Sequence, residues 1–235
     1  MVAPWHFAQV IPKNEADLLV KYSHFFDQKG WVANHDGNLS SRLEKDRFGV
    51  TPTARAKRDL LASDLIEIDF SGKTISGQAK VFSEWNLHAL VYENRSDVKA
   101  VVHSHAPYAT AVGCANQEMR TIAVPEAVVS LGPGVPLVGL GVPGSVPLIQ
   151  EFKALLPYYD AVLVAGNGIF SWGPTLELAV LRMELVEHLA KILLQTLPLG
   201  GPTLLDPSQV RVLLEKREKA GLMLPSDPQR AHWYP

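Results

Sequence analysis

The chain has 235 residues, 47% of them hydrophobic and 20% charged, with a net charge of −2, enough to bury a sizeable core in one large domain or two small ones. That balance gives no electrostatic footprint for nucleic acid or for an anionic membrane, and no apolar run reaches the ~18 residues that span a bilayer. The single cysteine, Cys114, excludes an internal disulfide, and the N-terminal stretch lacks the basic start and apolar core of a secretory signal, so a cytoplasmic protein is expected.

Leu18, Leu19, Tyr22, Phe25 and Phe26 form a helical stripe over 15–29, with Asn14 as N-cap and Gly30 as stop. His35-Asp36-Gly37-Asn38 reads as a hairpin turn between extended runs at 31–34 and 39–43. Residues 48–51 make a third short strand halted by Pro52, and 65–70 alternate apolar and polar as a half-buried strand before Ser71-Gly72 turns it back. Leu87, Leu90 and Val91 share a helical face behind Ser83, a plausible N-cap, and Glu84, a first-turn carboxylate suited to the helix dipole. A polar break at 94–97 leads to the apolar strand 98–102, which runs into His103 and His105. Side chains two apart on a strand point to one side, so both imidazoles can meet one ion.

Ala106-Pro107 begins a short helix to about Cys114, and 122–134 reads as loop with one helical turn. A strand follows at 135–140, then a helix opened by Ser145 and Pro147. The apolar strand 161–165 is broken by Gly166-Asn167-Gly168 and resumes at 169–171. Thr175 caps the longest helix, to about 196, whose apolar residues run nearly all round and predict burial on more than one side. Asp206-Pro207 opens a last helix ended by Gly221, and a tail without periodicity follows. Strands and helices mix without strict alternation, which predicts an α/β (α+β layered) fold with a central, largely antiparallel sheet, in one domain over 1–235.

Two histidines at strand spacing are no signature on their own. Here they stand where a β-branched strand opens into a loop, which is where α/β sheets place their sites. Ser83-Glu84-Trp85 with His88, then Arg95, Asp97 and the run 100–111 (AVVHSHAPYATA), resemble the class II aldolase/adducin family. Gly37-Asn38-Leu39-Ser40, Thr51-Pro52-Thr53 and the run 163–173 (LVAGNGIFSWG) extend the likeness over at least residues 15–195. The resemblance implies an α/β/α sandwich, assembled as a homotetramer with sites near subunit boundaries. It also implies a metal-dependent lyase that cleaves or forms a C–C bond next to a carbonyl through an enediolate. A β-keto-acid decarboxylase, and a non-catalytic homologue like the adducin head, are the alternatives.

By motif position, the resemblance places the acid/base glutamate on Glu84 and the first two zinc ligands on His103 and His105. The third histidine of the family's pattern is replaced by Asn167. An amide oxygen is a weak, hard ligand, so such a site would hold zinc loosely and admit manganese. A displaced third ligand, or a site without metal, would equally account for the asparagine. His88 is the nearest substitute, though its spacing suits packing or second-layer support.

The family's phosphate pocket is also altered. Gly37, Asn38, Thr53 and Ser83 remain as substrate-binding candidates, but Ala54 stands where glycine is usual and Phe82 replaces a serine. A ring cannot donate to phosphate and a Cβ obstructs backbone approach, so a small non-phosphorylated hydroxy-carbonyl substrate is expected. The tyrosine that serves as acid in some relatives would fall near Val124, with no tyrosine nearby, and Tyr108 and Cys114 read as packing residues.

Overall fold

The computed structural model describes residues 11–44, 46–142 and 145–222. The N-terminal stretch up to residue 10 and the tail from 223 lie outside the described residues.

The elements run α1 (Lys13–Gln28), β1 (Asn38–Glu44), β2 (Arg47–Val50), β3 (Ile66–Asp69), β4 (Thr74–Ser76), α2 (Trp85–Asn94) and β5 (Ala100–Ser104). They continue with α3 (Pro107–Cys114), β6 (Met119–Arg120), α4 (Pro125–Leu131), β7 (Gly134–Val135), β8 (Leu137–Val138), α5 (Val146–Leu155), β9 (Ala161–Val164), β10 (Gly168–Gly173), α6 (Leu176–Thr196) and α7 (Pro207–Lys219). Eight strands form one sheet in the order β4-β3-β2-β1-β5-β10-β9-β8. Every neighbouring pair is antiparallel except β8 and β9. The α/β class and the largely antiparallel sheet are as the sequence predicts.

Helices cover both faces. Leu19 and Phe26 of α1, Ala109 of α3 and Met183 of α6 pack into one apolar layer, while Trp85 and Val91 of α2 and Phe152 of α5 pack into the other. The strands sort their side chains between these layers by the two-residue period. In β5, Ala100 and Val102 face the first layer and Val101 the second. His103 follows Val102 and stacks on Phe170 of the second layer, with ring centroids 4.0 Å apart. Its neighbour Ser104 turns the other way, and its hydroxyl donates to Met183 Sδ of α6.

The caps of the long helices hold. Thr175 Oγ1 accepts from Leu178 N–H at 3.1 Å, and Asp206 forms a reciprocal capping box with Gln209. α6 buries residues as different as Val186, Arg182 and Glu187, in line with an apolar surface nearly all round. No helix of the described residues is long and apolar enough to cross a membrane.

Several local expectations need correction. The Asp36-Gly37 turn does not close a hairpin. Both edges of β1 are taken, by β2 and β5, so residues 31–34 have no strand to pair with, and Trp31 packs on Phe25 and Phe26 instead. α1 starts behind Pro12 rather than capped by Asn14. α2 has Glu84, not Ser83, at its N-cap position, without a side-chain cap. The 135–140 strand is two short pieces, and the loop at 122–134 contains the two-turn α4. Tyr108 is 37% exposed and Cys114 is exposed, so neither is a core residue.

Candidate active site

The site forms where β1 begins and β5 ends. The two strands run antiparallel with Asn38 directly opposite His103. Gly37 precedes Asn38 at φ +70°, and a Cβ there would press on the His103 carbonyl at 3.1 Å and collide with Val32. Glycine is needed to bring β1 this close to the histidine strand.

His103 is 1% exposed, and its Nδ1 lies 2.9 Å from the Ile169 carbonyl. Burial, with the neighbouring His105 adding to it, pulls its pKa down to about 3. The ring is therefore neutral, Nδ1 carries the hydrogen given to Ile169, and Nε2 keeps its lone pair. His105, one residue past the strand, has its ring centroid 5.1 Å from that of His103. Its Nδ1 lies 3.2 Å from Asp36 Oδ2. Both imidazoles thus engage an acceptor through Nδ1 and leave Nε2 open, the arrangement that orients metal-binding histidines.

Gly168, at φ +74°, seats β10 against this pair, since a Cβ there would strike the Ser104 carbonyl and crowd His105. Asn167 stands beside it, and its buried Nδ2 has no hydrogen-bond partner. Its end of the site is thus open to a polar ligand. Glu84 comes from the start of α2. Its Oε2 accepts from Ser83 Oγ at 2.9 Å and from Asn38 Nδ2 at 3.4 Å. Asn38 therefore links the carboxylate to the His103 register position. Among the described residues, no three His, Cys, Asp or Glu side chains gather closely enough to cage an ion. Glu84 is joined to the histidine end through Asn38.

His88 lies behind the site. It is fully buried, its Nδ1 meets Ser40 Oγ at 2.8 Å, and its ring sits against Phe82 and Phe170. Burial first, then the closeness of the second imidazole, His103, holds its pKa well below the usual value. It supports the site rather than entering it.

The residues read as substrate-binding have other partners. Asn38 and Ser83 both donate to Glu84. Thr53 N–H donates to the Lys80 carbonyl at 3.0 Å. Ala54 holds the left-handed conformation, φ +55°, that a glycine would adopt at no cost. A cavity of 910 Å³ opens beside Thr53 and Ala54, lined further by Arg55, Asp64, Glu67 and Gln78. The histidines and Glu84 do not line it.

Two residues went unread in the sequence, one at the site and one outside it. Asp36 looked like turn chemistry, yet it orients His105. Lys57, in the charged run 55–59, carries no periodic signal and reads as surface, yet is 2% exposed. Its pKa falls to about 8 through burial, with Asp36 opposing.

The family description "Class II Aldolase and Adducin N-terminal domain" matches residues 17–194. The chain belongs to this family. The 3-oxo-tetronate 4-phosphate decarboxylase of Pectobacterium atrosepticum is 33% identical over 179 residues, 74% of this chain and 81% of that protein. The L-fuculose phosphate aldolase of Escherichia coli is 32% identical over 189 residues, 80% of this chain and 86% of that protein. A solved L-fuculose 1-phosphate aldolase superposes with a TM-score of 0.81 at 25% identity, covering 90% of this chain and 99% of that one. Class II aldolases depend on a divalent metal. The resemblance read from the motifs, and with it a lyase-type enzyme acting on a small sugar-like compound, agrees with these relatives.

Proposed function

We propose that the chain is a divalent-metal-dependent lyase that cleaves or forms a C–C bond next to a carbonyl in a small hydroxy-carbonyl compound. The observation that carries this reading is the paired use of Nδ1: His103 on Ile169 and His105 on Asp36, with both Nε2 atoms open. Those two atoms would hold the ion, and the Asn167 amide, turned to offer Oδ1, would complete the protein's share. With two imidazoles and one neutral oxygen, zinc or manganese both suit the donor set. When bound, the ion supplies Lewis-acid polarisation of the substrate's carbonyl.

The remaining chemistry belongs to the chain. Glu84 Oε2 is held by Ser83 and Asn38, which leaves Oε1 as the oxygen that takes a hydroxyl proton and returns it to the enediolate carbon. Retro-aldol cleavage and β-keto-acid decarboxylation share the enediolate and its protonation, while only the first requires a hydroxyl proton to be taken, and relatives of both kinds occur. Gly37, Asn38, Thr53 and Ser83 border the substrate, Asn38 and Ser83 through their hold on Glu84. The working protein is a single-domain cytoplasmic homotetramer in this reading, with α6 and α7 as candidate subunit contacts.

Metal analysis of the purified protein, then turnover of hydroxy-aldehydes and keto acids with and without metal removal, tests the reading. Turnover is expected to vanish with the metal and return on adding it. Equal rates in both arms would sink it. Asn167→His should raise zinc affinity, because imidazole is the better ligand, and an unchanged affinity would show that Asn167 does not face the ion.

A further inference from the structure

We infer that the cavity beside Thr53 and Ala54 is a second binding site, which takes a small organic cation with an apolar body and holds it through Glu67. The inference stands apart from the lyase reading. Glu67 lies in β3 between Ile66 and Ile68, which both pack into the layer of α2 and α5. By the two-residue period its side chain points to the opposite face, that of α1. Ile11 and Leu65 belong to the layer on that face and line the cavity together with Glu67. Directly opposite Glu67 in the sheet stand Gly49 of β2 and Ser76 of β4. Paired residues share a face, so no large side chain from either neighbouring strand covers the carboxylate. His103, by contrast, stacks on Phe170 in the other layer, and Thr53 is the one candidate site residue that also lines the cavity.

Glu67 is 1% exposed. Its Oε1 pairs with Arg47 Nε, and its Oε2 has no hydrogen-bond partner. A buried acceptor left empty is costly, and an apolar residue at this position would serve packing better. The carboxylate makes sense when a guest in the cavity donates to Oε2. Three charged side chains line the space, Glu67, Asp64 and Arg55. Arg55 is already matched by Asp64 at 3.1 Å, and Arg47 reaches Glu67 without lining the cavity. The lining therefore carries an excess of negative charge, which favours an ammonium over a hydroxyl as the donor. Ile11, Pro52, Ala62, Leu65 and Ala79 make up much of the remaining wall and suit an apolar body. The volume of 910 Å³ falls in the range of small-molecule pockets.

The test titrates 3-methylbutylamine, 3-methylbutan-1-ol and 3-methylbutanoate calorimetrically into the wild type, Glu67→Gln and Ser76→Trp. Each protein is measured metal-loaded and after metal removal on a chelating resin, alongside its thermal unfolding. The wild type should bind the amine about 10-fold or more tightly than the alcohol, as expected for a hydrogen bond to a charged group, and the carboxylate most weakly. Glu67→Gln should lose the preference for the amine. Ser76→Trp sets an indole over the carboxylate and leaves its charge and its Arg47 partner in place, so it should lose the amine while staying folded even where Glu67→Gln does not. No amine binding by the wild type, equal binding of amine and alcohol, or a preference that survives in either folded variant would each overturn the proposal. Amine binding confined to the metal-loaded protein would do the same, because it would put the amine on the metal.

Discussion

Two groups of buried polar and charged side chains among the described residues are finished to different degrees. Around Asp160, 2% exposed, the guanidinium groups of Arg95 and Arg182 pair with its carboxylate at 2.9 and 2.7 Å, and that of Arg217 lies at 3.8 Å. The same arginines donate to the carbonyls of Leu156, Tyr159, Trp172, Val129 and Ser130. They tie the loop after α2, α6 and α7 to the start of β9 and to β10. At the histidine end, Asn38 Oδ1, His88 Nε2 and Asn167 Nδ2 have no hydrogen-bond partner and no ion pair. Buried polar groups are nearly always satisfied. Asp160, by contrast, has an arginine against each oxygen, which marks its cluster as architecture and accords with the ligand site proposed at the other.

The largest effect should come from breaking the complete cluster. Asp160→Ala leaves three arginines facing one another around a lost counter-charge, and removing one partner of a buried network costs about 3–5 kcal/mol. Urea unfolding should show that loss, while activity per folded molecule stays near wild type. A variant that folds well but is inactive would erase the division between the two regions. At the open cluster the ranking reverses. His103→Ala or His105→Ala should reduce turnover by at least about 100-fold, because even outer supports of a metal site are worth 10–100-fold in affinity. Asp36→Ala, which frees His105 Nδ1, should weaken metal binding by about that 10–100-fold range, measured by competition with a chromophoric chelator.

pH separates the clusters further. His103 and His88 are neutral in the fold, with pKa values about 3 and well below 6.5 respectively. Below pH 6.5 the unfolded chain takes up protons that the folded chain refuses, so stability falls as pH drops from there towards 3. Lys57 acts at the other end of the scale. Its folded value of about 8 lies under the ordinary 10.5, so the unfolded chain holds the extra proton and stability rises between those two values. Lys57→Met should flatten the alkaline rise and leave the acid limb alone. Unfolding midpoints across pH 4–10 would show it, and an unchanged alkaline rise would mean that another group titrates there.

The sequence exposed the parts of this site that obey a period. The alternation through β5 placed His103 beside His105, and Thr175 and Asp206 announced α6 and α7. Fold class followed from the mixture of short strands and capped helices. What stayed hidden depends on pairing across the sheet. Nothing local says that β1 takes β5 as its second neighbour, so the Asp36 turn looked like an ordinary hairpin instead of the support of His105. Lys57 was hidden for a related reason: its burial comes from a 3-10 turn folding back on α1, and charged residues on both sides disguise it.

The smallest expected effect concerns Ala54, which lines the cavity. At φ +55° it sits where a Cβ is strained by about 1–2 kcal/mol, and glycine would relieve this at a loss of about 0.4–1 kcal/mol in unfolded-chain entropy. Ala54→Gly should therefore stabilise the fold by about 0.5–1 kcal/mol. If the methyl group is retained to keep a phosphate-like anion out, the same change should also improve phosphate binding, measured by calorimetric titration. A gain in stability with no change in phosphate affinity would make the strain an accident of the turn.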